Sequence, residues 1–291
     1  MSTPALTLAR RKSLMLIPVY GMLAFFAIIT LIPFAWLLCA AFKSNTDFYS
    51  SLFLPTGDGF LGIDWGRLTL GNFKKLFTEI GIGNAIMNSV FLASTMALIA
   101  TFCSALGGYA LAKFRFAGRD WVLALVFGAL VIPGPLLLAP GYKLIYQLGL
   151  LDTYAGLILP AIAPAFGIFL FRQAMMNAVP TTLIESARID GAGEIRIFFT
   201  IVLPLVRPMI GAYLMITFLG TWNNFIGPQI IMQSSDLFPL SVAINQLRGL
   251  YGVDYGMIMA GTLVSIAPVL SLFLLLQKEF IAGLTAGAVK G

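Results

Sequence analysis

Long apolar runs alternate along this chain with short polar segments, and each run approaches or exceeds the length of about 20 residues that crosses a bilayer as a helix. The first extends from about Leu14 to Phe42 behind Arg10, Arg11 and Lys12, with Pro33 as a kink that membrane helices tolerate. A polar and aromatic segment from Lys43 to Gly83 follows, broken by Gly57, Gly59, Gly62, Trp65 and Gly71. Within it Leu70, Phe73, Leu76 and Phe77 recur at helical spacing opposite Lys74, Lys75 and Glu79, which predicts a short interfacial helix over Leu68 to Ile80. Further runs cover about Ala85 to Leu111, Trp121 to Leu138 with breaks at Pro133, Pro135 and Pro140, and Tyr154 to Phe171 with Pro160 and Pro164 inside and Arg172 at its end. The last two cover about Leu205 to Phe225 and Gly256 to Leu276. The pattern predicts an all-α membrane protein: a cytoplasmic segment 1–13, a six-span domain over 14–277 and a cytoplasmic tail 278–291. Short strands of alternating polarity, which a membrane β-barrel needs, are absent from the sequence.

Composition agrees. Of the 291 residues, 59% are hydrophobic and 10% charged, against about 25% charged in soluble domains. An ordinary soluble enzyme is thereby excluded. The formal charge of +6 reflects loop topology in such a protein, so no nucleic-acid partner is expected. With six spans and both termini in the cytoplasm, twelve of the eighteen Lys and Arg residues fall on the inner side, as the positive-inside rule requires.

Chemistry is sparse. No Asp, Glu, Lys or Arg lies near the middle of a predicted span, whereas carriers driven by ions or protons place charges there. The two halves show no internal duplication of the kind common in secondary transporters. The chain has no histidine, which removes the commonest general base and metal ligand, and no carboxylate cluster within the spans, so neither an enzyme nor a metal site is expected. Cys39 and Cys103 lie in apolar runs and read as buried thiols.

One polar island interrupts this pattern, from Pro180 to Pro208, with Glu185, Arg188, Asp190, Glu194, Arg196 and Arg207. Thr182 and Glu185 have capping-box spacing, which predicts a helix to about Asp190, and Gly191 suits the left-handed turn that ends it. A second short helix is expected from about Gly193 toward Thr200, with Pro204 in the first turn of the next span. Ile184, Ala187 and Arg188 would share one face and meet a partner together. The alternative is a solvated surface loop in which Glu185 only caps a helix.

The residues of the island resemble a known motif. Glu185-Ser186-Ala187, Gly191 after three intervening residues, and Ile201, Leu203 and Pro204 further on are similar to the EAA motif of permease subunits of bacterial ABC importers. Asp190-Gly191-Ala192 with Pro204 and Pro208 resembles the carbohydrate-uptake branch, and Ser186 replaces the usual alanine with another small residue. Thr221-Trp222-Asn223-Asn224-Phe225, the run Tyr251 to Gly256 and the ending Gly283 to Gly291 resemble the maltose-type second permease.

The resemblance implies an inner-membrane subunit of a bacterium, working with a second permease subunit, two ATP-binding subunits and an extracytoplasmic sugar-binding protein. ATP and Mg would be bound by the partner ATPase, since this chain has no phosphate-binding loop of the Gly-x-x-x-x-Gly-Lys-Ser/Thr type. It further implies that the loop 180–204 is a coupling helix in a cleft of the ATPase. There Glu185 would pair with a basic group, Ser186, Ala187, Arg188 and Asp190 would lie at the contact, and Gly191 would supply the turn. Ile201, Leu203 and Pro204 would tie it to the fifth span.

Trp222, Asn223 and Asn224 read either as interfacial anchors with helix-to-helix hydrogen bonds or as part of a sugar path, since indole faces and amides suit sugars. By position, the loop with Asn245, Arg248, Tyr251 and Asp254 would dock the binding protein. The tail from Gly283 is too rich in Gly and Ala for an independent element and reads as a frayed end or, by the resemblance, as a strand of chain along the ATPase interface. The function implied is uptake of a carbohydrate, an oligosaccharide, by ATP-driven alternating access. A self-sufficient secondary carrier for a small polar solute is the alternative.

Overall fold

The computed structural model describes residues 4–249 and 252–286. It opens with α1 (Pro4–Ala41), which continues through Pro18 and Pro33, then α2 (Asn45–Ser50) and α3 (Gly71–Thr78). Next come α4 (Ile82–Lys113), α5 (Arg119–Val131), α6 (Leu138–Gln147), α7 (Tyr154–Ile158) and α8 (Ala165–Ala178). The polar island holds α9 (Thr181–Ile189) and α10 (Glu194–Ile197); the latter passes through a π turn at Phe198–Val202 into α11 (Leu203–Leu205). The remainder is α12 (Arg207–Trp222), α13 (Ile226–Ile231), α14 (Leu240–Gln246) and α15 (Tyr255–Ala286). Between α14 and α15, β1 (Arg248–Gly249) pairs antiparallel with β2 (Gly252–Val253), Arg248 opposite Val253.

Among the described residues, three stretches are single helices long and apolar enough to span a membrane: Leu16–Ala41, Ile82–Lys113 and Tyr255–Leu275. Three further candidates are bent pairs: α5 with Gly134–Gln147 at 102°, Tyr154–Ala161 with α8 at 41°, and Glu194–Leu205 with α12 at 81°. Prolines account for the breaks. Pro133 forces Ile132 out of helical geometry, and Pro164 takes the extended conformation just before α8. The third break falls at Val206, ahead of Pro208 in the first turn of α12.

Several expected boundaries shift. The third run continues past Leu138 to Gln147, and the fourth continues past Phe171 to Ala178, so Arg172 lies within α8 instead of at its end. The fifth begins at Arg207, leaving Pro204 inside the preceding rod. α15 runs through Gly283 to Ala286, because extending an existing helix avoids the nucleation that an isolated Gly- and Ala-rich segment would face. Residues 287–291 lie outside the described residues.

The chain divides into two compact units, Met1–Ile80 with Leu247–Val264, and Gly81–Gln246 with Ser265–Gly291. In the first, Asn72 and Leu76 form the buried face of α3, while Leu70 and Phe77 are exposed, so only part of its apolar stripe is used internally. The Asn72 amide donates to Ala41 O and Lys43 O, both at 2.8 Å, satisfying carbonyls left open at the end of α1. Lys43, expected as a loop charge, is fully buried. Its Nζ donates to Ser51 O at 2.7 Å and sits 5.8 Å from the centre of the Phe48 ring; burial pushes the amine's pKa down. Asp47 and Arg67 pair beside it, and Phe48 stacks on Tyr255 at 4.8 Å.

In the second unit α4 is the centre, packed by α8 and α12. Its buried positions are mostly small, among them Ala93, Ala97, Ala100, Ser104, Ala105 and Gly108, and small residues let membrane helices approach closely. A Cβ on Gly108 would lie 2.6 Å from Phe171 Cβ and 2.7 Å from Arg172 N, and one on Gly167 would collide with Ser104 Oγ and the Tyr213 hydroxyl.

α4 also serves as a ruler. Near its start, Asn88 donates to Asp236 O at 2.7 Å and accepts from the Tyr154 hydroxyl at 2.8 Å, while Ser89 Oγ accepts from Leu240 N at 2.7 Å. Near its end, Tyr109 reaches Glu194, and Lys113 Nζ donates to Val179 O at 2.6 Å. At the helical rise, Asn88 and Tyr109 are about 30 Å apart along the axis, the thickness of a bilayer's hydrocarbon core.

The packing at Gly108 generates a prediction. Gly108→Ala should destabilise the detergent-purified protein by about 1–3 kcal/mol, because the colliding atoms belong partly to backbone. Gly128→Ala on α5 meets nothing within 4 Å and should be neutral or stabilising by up to about 1 kcal/mol. Thermal unfolding of the two variants checks this; equal melting temperatures would contradict it.

Candidate functional site

The capping box expected at Thr182 does not form. Pro180 occupies the N-cap with φ −63° and ψ 135°, and no side chain caps the helix. Its ring supplies the extended backbone there and starts α9 at Thr181, which puts Thr182 inside the first turn. Glu185 is exposed and is therefore not committed to capping.

The C-terminal end follows expectation. Gly191 has φ +79°, a conformation that a β-carbon disfavours. Gly191 N donates to Arg188 O at 3.0 Å and Ala192 N to Ala187 O at 2.9 Å, the paired bonds of a Schellman turn.

Which face of α9 points outward differs from expectation. Ile184 is 1% exposed and belongs to a buried cluster with Met175, Ile197, Phe198 and Val202, and Ala187 packs against the same cluster. The outward surface comprises Glu185, Ser186, Asp190 and Ile189, the last 86% exposed, joined across the turn by Ile195 at 78%. The two isoleucines were missed by reading for charge. The available signal was angular: Ile189 follows Ile184 by five residues, about 140° around the helix, so both cannot be buried on one face.

Arg188 is engaged within the chain. Its Nε donates to Glu194 Oε1 at 2.6 Å, and its guanidinium lies 5.6 Å from the centre of the Phe114 ring. Glu194 Oε2 accepts from the Tyr109 hydroxyl at 3.0 Å. Beyond α10, Ile201 and Leu203 pack against the buried cluster, while Pro204 is exposed. Val202 and Val206, four residues apart and so on one helical face, both point inward.

At the other end of α4, the three residues Trp222, Asn223 and Asn224 do not form one surface. Trp222 is 5% exposed and stacks on Phe218 at 5.8 Å. Asn223 is exposed and its amide donates to Leu219 O at 2.9 Å. Asn224 accepts from Gly227 N at 3.2 Å and lines a cavity of about 30 Å³ with Ser89, Met96, Thr221 and Pro239, room for one or two water molecules. The neighbouring loop is pinned by Asp152, at φ 56°, whose carboxylate accepts from Gln233 N at 2.8 Å, Ser234 N at 2.9 Å and the Ser234 hydroxyl.

Of the remaining candidates, Asn245 is half-buried on α14 and Arg248 is exposed on β1. Asp254 Oδ1 accepts from Met257 N at 3.1 Å, a capping contact for α15. Tyr251 lies outside the described residues. Cys39 and Cys103 are free and half-buried. Among the described residues, no group of three or more His, Cys, Asp or Glu converges on a possible metal position.

Residues 104–278 match the family described as binding-protein-dependent transport system inner membrane component. An arabinooligosaccharide transport system permease protein, AraQ, of Halalkalibacterium halodurans is 38% identical over 92% of this chain and 94% of its own length. The lactose transport system permease protein LacG of Rhizobium radiobacter is 31% identical over 93% of this chain and 95% of its own. A chain from the crystal structure of a bacterial ABC transporter that imports the acidic polysaccharide alginate superposes with a TM-score of 0.79, covering 93% of this chain and 98% of that one. At 20% identity that likeness speaks for the fold alone.

The Asp152 contacts predict a pH response. The Ser234 hydroxyl, then the amides of Ser234 and Gln233, hold the Asp152 carboxyl below its ordinary pKa of 3.8. A depressed pKa stabilises the fold above the ordinary value, and the contribution is lost as pH falls through the folded one. Hydrogen exchange should therefore show the Gln233 and Ser234 amides equally protected at pH 5 and 7 and losing protection as pH falls below 3.8, while Asp152→Ala exposes both at every pH. Protection unchanged in that variant would contradict the assignment.

Proposed function

This chain belongs to the family of binding-protein-dependent transport system inner membrane components, and from that premise we infer that it is the membrane-spanning permease subunit of an ABC importer for a carbohydrate. The single observation that carries the mechanism is the joint formed by α9, Gly191 and α10. It is a helix pair with an outward surface of Glu185, Ser186, Ile189, Asp190 and Ile195, set at the end of α4 that carries Lys113.

Lys113 closes α4 at the end to which the joint is attached, Arg115 and Arg119 follow it, and the positive-inside rule assigns such an end to the cytoplasm. Six spans in a bacterial inner membrane, each bent pair counting as one, would put both termini on that side. An ATP-binding subunit would meet the joint there. Glu185, free of any capping role, is the group for a basic partner, and Ile189 and Ile195 would enter an apolar socket.

Force applied to α9 would pass through Gly191 into the rod Glu194–Leu205 and around the 81° bend into α12, which packs on α4. Rearrangement of these packed helices opens the bundle at alternate ends. Sugar would arrive from an extracytoplasmic binding protein, and a second permease would complete the path. The nucleotide and its Mg would reside on two ATP-binding subunits, leaving this chain without catalysis of its own.

The geometry does not favour a self-sufficient carrier. Of the charges in the extended runs, Arg172 lies inside α8 and Lys143 on α6; a guanidinium does not release its proton near neutral pH, so Arg172 cannot relay one.

Reconstitution with the ATPase, partner permease and binding protein tests the reading. Proline fixes φ near −65°, so Gly191→Pro cannot keep the +79° turn. Gly191→Pro and Glu185→Arg should each lower ATP-driven sugar uptake by at least about tenfold, or about 1.4 kcal/mol of coupling. Uptake at the native rate in both variants would exclude the coupling role. Separately, Ile189→Asp with Ile195→Asp should weaken co-purification of the ATPase; undiminished recovery would remove the isoleucines from the contact.

A further inference from the structure

The Tyr109–Glu194–Arg188 contacts lie on the inner side of the joint and are not explained by docking. We propose that these residues form a positioning strut, which sets the angle between α9 and α10 and clamps it to α4, so that movement of α9 is delivered to the bundle instead of being absorbed in the Gly191 turn. The proposal rests on the reading of α9 and α10 as the element that receives the ATPase.

The geometry assigns each residue a distinct part. Arg188 is on α9 and Glu194 opens α10, so their 2.6 Å bond bridges the turn that Gly191 makes. A glycine at φ +79° with nothing within 4 Å of a β-carbon position is a soft link. Ile184 and Ile197 press the two helices together, but apolar contact has no direction and permits rotation. A charge-assisted bond across the turn resists it.

Tyr109 then ties the pair to the bundle. It is 4% exposed in the last turns of α4, and its hydroxyl takes the second oxygen of Glu194 at 3.0 Å. Phe114, just beyond α4, meets the Tyr109 ring edge-on at 5.2 Å and the Arg188 guanidinium at 5.6 Å, closing the circuit. Arg188 and Glu194 have side chains 39% and 41% exposed, and a lone pair so placed contributes little. The buried hydroxyl and the ring are what make this one a network. Arg188 is accordingly a group that aims the docking surface and is not itself part of it.

The full transporter, reconstituted with its binding protein, tests this through the ratio of sugar taken up to ATP hydrolysed. Tyr109→Phe keeps the ring and removes only the hydroxyl, so assembly and ATP hydrolysis should persist while sugar per ATP falls by about fivefold or more, the lower end of usual coupling between sites. Glu194→Gln should act in the same direction, and Arg188→Glu combined with Glu194→Arg should recover most of the loss caused by Arg188→Glu alone. An unchanged ratio in Tyr109→Phe and Glu194→Gln would overturn the strut, as would uptake and hydrolysis falling by one common factor. Co-purification of the ATPase with the native chain is measured alongside: its absence would overturn the docking reading and the strut with it, whereas intact binding with an unchanged ratio overturns the strut alone.

Discussion

Close approach of α4 to α8 is the constraint on which the second unit depends. Gly108 brings the backbone of α4 against Phe171 and Arg172 so tightly that no β-carbon fits between them. In a bilayer there is no hydrophobic drive to pull helices together, since lipid tails are as apolar as the side chains, and contact area between small residues has to supply the attraction. The row of Ala, Ser and Gly along α4 meets that requirement. It also fixes where Tyr109, one residue beyond Gly108, can point.

From that packing the joint follows. Tyr109 stands on the most enclosed helix of the unit and reaches the first residue of α10, while Ile184 and Ile197 close an apolar seam beneath. The polar island is thus not a loop laid on the surface. Its inner side is part of the core, and what it offers outward is a small set of groups around the Gly191 turn. An element that must receive force from a soluble partner and pass it into a bundle needs both properties, a protruding face and a rigid root.

The breaks in the helices serve the same end. Proline and the Val206 kink turn three apolar runs into bent pairs, and the 81° bend lets the rod from Glu194 lie at a steep angle to α12. A straight helix through this region would carry the exposed groups around Gly191 along the line of α12. Within the first unit, burial of Lys43 against the Ser51 carbonyl and the Phe48 ring shows a cation used as a structural pin.

The apolar runs, the location of the polar island and the turn at Gly191 follow from residue order, because length, composition and a left-handed glycine are local properties. The sequence also carried the motif by which the family can be recognised. It did not determine which face of α9 is inward, since Ile184 and Ile189 are equally apolar and only the cluster around Met175 and Val202 distinguishes them. Nor did spacing foretell the loss of the Thr182 cap, where the conformation of Pro180 overrode a favourable pattern. Tertiary structure alone brought Tyr109 to Glu194, a contact between residues 85 positions apart. No periodicity relates such residues, and their meeting is set by how closely α4 packs in the bundle.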